Sequence, residues 1–152
     1  MLRDIRNVRF PPIADISDHW HLRVMMDLAE IVVVNENRNE TTAGDVTVFR
    51  NADAACSWLE HWWVEDGEGS AFTASGERLT LGVDNRGRVI VTDRQATPDG
   101  ARLVQNWLHA AAAAVLGARR AKAARGKIIL SPSEGRLATS VEELVTYVGF
   151  TA

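Results

Sequence analysis

The chain has 152 residues, 46% hydrophobic and 24% charged, with a formal net charge of −3 at neutral pH and a pI near 5.8. That composition excludes a disordered or fibrous protein, and the mild acidity argues against the strongly basic face of a nucleic-acid binder. The lone cysteine, Cys56, rules out an intramolecular disulfide and a cysteine-based zinc site, which suits a reducing compartment.

A chain of this length buries roughly 68–70% of its extended surface as one domain, so a single domain over residues 1–152 is expected. Residues 1–18 alternate charged with apolar positions and contain Pro11-Pro12, so they read as a loosely ordered N-terminal arm or short edge strand. Neither a signal-peptide apolar core nor an 18-residue apolar run occurs, and a cytoplasmic protein without a membrane segment is expected.

Residues 20–34 are strongly apolar and end in β-branched side chains, predicting a strand over 28–35. A polar, turn-prone stretch then leads to a second strand at 46–49. Asn51 is a credible helix N-cap, with Asp53 placed against the helix dipole. Ala55, Trp58, Leu59 and Trp62 follow at the i, i+3, i+4, i+7 spacing of a buried stripe, with the helix failing near Trp63. Residues 71–74, 78–83 and 88–92 alternate apolar with polar positions between glycine and asparagine turns, the pattern of a three-strand meander.

Thr97, Pro98 and Asp99 hold the preferred positions for a helix start, and the helix is predicted to run from 98 to about 124. Leu103, Trp107, Ala111 and Val115 line one side of it, with Val104, Leu108 and Leu116 beside them. Arg119, Arg120, Lys122 and Arg125 complement its C-terminal dipole before Gly126. Residues 127–130 read as a further strand. Ser140 and Glu143 then form a capping box for a last helix that turns Val141, Leu144, Val145 and Val148 inward and stops at Gly149. Strands joined by hairpins and mixed irregularly with helices predict an α+β fold: an antiparallel sheet containing the meander, packed against a short tryptophan-rich helix, a long helix and a short C-terminal helix.

The chemistry-bearing motifs are sparse. Neither GxxxxGK[ST] nor GxGxxG is present, and no G-x-S-x-G elbow activates a serine. His19 and His21, with Asp18 nearby, would need a third ligand to hold a metal, and His61 and His109 stand elsewhere. No cofactor or metal is expected, and Cys56 reads as a small buried hydrophobe. The remaining concentration of function-capable groups is acidic: Glu60, Glu65, Asp66 and Glu68 lie within nine residues of one another beside Trp62 and Trp63. Acids on a turn are most often simply solvated, but next to aromatic anchors they also suit the docking of a basic partner.

The stretch DAACSWLEHWWVEDGEGSAFTASGERLTLGV, with the closing SVEELVTYVGF, resembles small bacterial immunity proteins of contact-dependent inhibition and other polymorphic toxin systems. The resemblance covers about a quarter to a third of the chain and carries no catalytic motif. It implies a non-enzymatic cytoplasmic inhibitor that binds one cognate toxin domain. A nuclease toxin would offer a basic face, which an acidic rim of Glu60, Glu65, Asp66 and Glu68 would mimic phosphates to meet, with Trp63 as anchor. Neither a membrane nor a nucleic acid is an expected partner. The alternatives are a homodimeric structural or regulatory module, seamed by the tryptophans or the alanine-rich helix, and a small enzyme with a site dispersed over residues such as Asp18, His19, His21 and Glu65.

Overall fold

The computed structural model describes residues 26–151, and the expected arm over 1–18 lies outside them. Five antiparallel strands form one sheet: β1 (Val32–Glu36), β2 (Asp45–Phe49), β3 (Ser70–Thr73), β4 (Glu77–Val83) and β5 (Val89–Ala96). Their order across the sheet is β2-β1-β3-β4-β5. Helices α1 (Ala52–Trp58) and α2 (His61–Glu65) follow β2, and α3 (Gly100–Ala124) and α4 (Val141–Val148) follow the sheet. The fold is therefore α+β, as its pattern predicts.

Both faces of the sheet are covered, which explains the unbroken valine run in β1. Val33 joins Val48, Phe72 and the α3–α4 residues Val104, Trp107, Leu108, Leu144 and Val145 in one core. Val32 and Val34 point the other way, into a second core with Phe49, Ala55, Trp63, Ala71 and Leu79. A strand buried on both sides reads as continuously apolar, and each fully buried valine contributes roughly 1.5–3 kcal/mol. Phe72 meets Trp107 edge-on, with ring centroids 5.2 Å apart, a favoured aromatic geometry.

The β1–β2 connection is closed by polar groups. Asn35 is fully buried; its amide donates to the Thr42 carbonyl at 3.1 Å and accepts from the Gly44 N–H at 2.7 Å. Glu40 in the same loop takes both terminal nitrogens of Arg78, at 2.9 and 2.8 Å, and its carbonyl accepts from Trp107 Nε1 at 2.7 Å. One loop thus ties the sheet to α3.

The Asn51 and Ser140 caps form as expected, their side chains accepting from the Ala54 and Glu143 N–H groups, and Gly149 ends α4 at φ +85°. Outside the tryptophan segment, three elements depart from expectation. The first strand begins at Val32, because residues 28–30 form a turn that bonds back to Asp27. Helix α3 starts at Gly100, after Asp99 rather than Thr97. There the β3–β4 turn presses against the helix: a Cβ on Gly100 would collide with the Gly76 carbonyl.

Residues 127–130 form no strand; the chain there is instead drawn to α3 and α4 by Glu134. In the 3₁₀ turn Pro132–Gly135, Glu134 accepts from Arg119 of α3, the Ser131 N–H and the Tyr147 hydroxyl of α4. Arg119, then the Ser131 N–H, hold its carboxyl down at about 2.

Candidate partner-binding face

The tryptophan segment is two helices, not one. Leu59 and Glu60 are both extended, with ψ of 140° and 143°, so α1 ends at Trp58 and α2 begins at His61. In an unbroken helix Trp58 and Trp62 would share the face of Ala55. Two extended residues reset that phase, and the tryptophans exchange roles.

Trp63, expected as the exposed anchor, is buried at 7% exposure in the second core, while Trp58 and Trp62, expected in the core, are 54% and 50% exposed. Burial of Trp63 depends on Gly69. A Cβ there would stand 2.6 Å from Trp63 Cζ2 and would also collide with the Asn35 carbonyl, so only glycine lets the chain pass under the indole. The Trp58 ring lies against that of Phe49, at a centroid distance of 6.2 Å. Adjacent tryptophans on any helix point about 100° apart, so the pair Trp62-Trp63 already carried the signal that one of them faces solvent.

The four acids divide as well. Glu60, Glu65 and Asp66 are exposed. Glu65 lies 3.1 Å from His61 Nδ1 one turn earlier. Glu68 is pinned by Arg38 of the β1–β2 loop at 2.7 Å, and that hydrogen bond lowers its pKa. Arg38 is the partner that sequence reasoning missed, because it stands 30 residues away. Glu60 and Asp66 make no ion pair among the described residues. Glu60, Glu65 and Asp66 are thus exposed and neighbour the exposed Trp58 and Trp62 along the chain, while Trp63 is packed inside and Glu68 is tied to the β1–β2 loop.

Other candidates offer less chemistry. Burial, then Asp53, pushes the Cys56 thiol up, so it stays protonated and poorly nucleophilic at neutral pH. His109 is exposed on α3, and Asp18, His19 and His21 lie outside the described residues. Among the described residues no group of three or more histidine, cysteine or acidic side chains is placed to hold a metal ion. A groove of about 820 Å³ between α3, the 3₁₀ turn and α4 is lined by Ala112, Glu134, Leu137, Leu144 and Tyr147 among others. Its Glu134 carboxylate already serves Arg119 and Tyr147. Also among the described residues, no helix is long and apolar enough to cross a membrane.

Comparison of the chain with protein-family models, curated proteins and solved structures found no match.

Proposed function

We propose that this is a non-enzymatic, immunity- or antitoxin-like protein that binds and neutralises a cognate bacterial toxin domain in the cytoplasm. The binding face is Trp58 and Trp62 with Glu60, Glu65 and Asp66, shaped from beneath by Trp63 and Glu68. The observation that carries this reading is the half-exposure of the two indoles Trp58 and Trp62, close along the chain to the exposed acids Glu60, Glu65 and Asp66. Tryptophan contributes large, rigid contact area, and surrounding acids steer a basic partner such as a nuclease. Co-expression with the product of the neighbouring reading frame tests it. Rescue from killing that is lost on replacing Trp58 and Trp62 supports the reading, and equal killing with and without this protein removes it.

A homodimer is the second reading, favoured by the exposed small residues Ala110, Ala113, Ala114, Gly117 and Ala118 on α3, which permit close helix approach. Light scattering across concentration separates the two, because only the homodimer gains mass without a partner.

A further inference from the structure

Acids and cations are unevenly spread along the chain. Between Asp99 and Glu134 there is no acidic residue, while Arg102, Arg119, Arg120, Lys122, Arg125 and Lys127 all fall in that stretch. The two bordering acids are already taken, Asp99 by Arg102 at 3.2 Å and Glu134 by Arg119 at 3.0 Å. Arg120, Lys122, Arg125 and Lys127 are exposed and make no ion pair among the described residues.

The end of α3 brings these cations together. Gly126, at φ +72°, turns the chain back so that the Lys127 N–H donates to the Lys122 carbonyl at 2.9 Å. Such a closure frequently seats an apolar contact at the helix end. Here both of the positions it joins are lysines, with Arg125 between them, so the backbone gathers like charges. The helix dipole offers only about half a negative charge, felt within its last turn, and does not account for four cations.

An apolar side chain stands beside them. Ile128 and Leu130 are half-buried, whereas Ile129 is 92% exposed, more than any other large hydrophobic side chain among the described residues. One exposed isoleucine is ordinary by itself. Two residues from Lys127, it joins an insertable side chain to cations whose stems can lie along apolar surface while their heads stay in water. Nucleic acid would use the cations but leave Ile129 idle, and residues 119–130 hold no aromatic ring to stack a base. An anionic bilayer uses both, its headgroups meeting the cations and its interfacial layer the isoleucine.

We infer that the C-terminal end of α3, through Arg120, Lys122, Arg125, Lys127 and Ile129, docks on the anionic phospholipid surface of a membrane. The contact is peripheral, since among the described residues no helix is long and apolar enough to cross a bilayer. The sequence leads to no such expectation because the net charge of −3 hides this end. Charges more than about 8 Å away are largely screened at physiological ionic strength, so the local cations decide. The inference stands independently of the acidic corner.

The test sediments the full chain with vesicles of phosphatidylcholine, plain or carrying about 40% phosphatidylserine. Binding to the phosphatidylserine vesicles is expected to be at least tenfold tighter at about 0.05 M salt, and to vanish near 1 M, where screening shortens to about 3 Å. Lys122→Gln/Arg125→Gln/Lys127→Gln should weaken it about 100-fold, near fivefold per charge, and Ile129→Ser about tenfold. Ile129→Trp should bind more tightly, its added fluorescence shifting to the blue with the same vesicles. All four positions are exposed, so each variant is expected to melt with the parent. Equal sedimentation with both kinds of vesicle overturns the inference. So does binding that the triple glutamine variant leaves intact, which moves the contact elsewhere on the chain. An unchanged affinity for Ile129→Ser with an unshifted Ile129→Trp spectrum also overturns it, and equal affinity for a short DNA duplex then assigns the cations to a polyanion.

Discussion

Gly69 lies against Trp63, so close that a Cβ at Gly69 would come within 2.6 Å of the indole Cζ2. Gly69→Ala is therefore expected to destabilise the protein by about 1–3 kcal/mol through overpacking. A matched urea midpoint for Gly69→Ala and the parent, by tryptophan fluorescence, contradicts the packing described for this corner.

The three tryptophans of the corner are expected to separate by stability. Trp63→Ala should cost about 3–5 kcal/mol as a large-to-small core change. Trp62→Ala, half exposed, should stay within about 0.5 kcal/mol, while weakening partner binding by about 2 kcal/mol, near 30-fold, if Trp62 is an anchor. Denaturation and titration on the same samples make the comparison, and a reversed order of the two stability effects sinks the assignment.

That exchange of roles marks where sequence reading stops. The meander, the Asn51 and Ser140 caps, the inward face of α4 and most of that of α3, where Ala112 is buried rather than the expected Ala111 and Val115, were legible because each depends on residues within one or two turns of each other. The break at Leu59-Glu60 has neither glycine nor proline to announce it. It follows from tertiary burial of Leu59 and Trp63 against the sheet, which overrides a regular helical spacing. Residues 127–130 have strand-like composition, but the Arg119–Glu134–Tyr147 network carries the chain elsewhere. In the site, the acids were visible and their partners were not: Arg38 reaches Glu68 only once the β1–β2 hairpin has formed.

Glu134 gives a pH signature. Its carboxyl is held at about 2, below the ordinary 4.5. Because the folded value is depressed, the stability it contributes is fully present above about pH 4.5 and is lost as pH falls toward 2. Glu134→Gln should therefore be less stable than the parent at pH 7, with the gap closing between pH 4.5 and 2. Thermal melts across that range test this, and a gap that stays constant down to pH 2 contradicts it.

The grip of Arg78 on Glu40 is partly exposed, so Arg78→Met is expected to cost about 1–2 kcal/mol rather than the larger penalty of a buried pair. Its second effect is local. Amide exchange within residues 37–44 should accelerate more than in β1, and a uniform change across the sheet would show that the pair does not secure the loop.

The central claim, that Glu60, Glu65 and Asp66 steer a basic protein onto the exposed tryptophans, is tested most directly by association kinetics. Stopped-flow mixing of the partner with the parent and with Glu60→Lys/Glu65→Lys/Asp66→Lys should show association at least tenfold slower for the variant at low salt. The two rates should converge once ionic strength shortens the screening length to about 3 Å near 1 M. Equal association rates at low salt, with both proteins folded, would contradict the account.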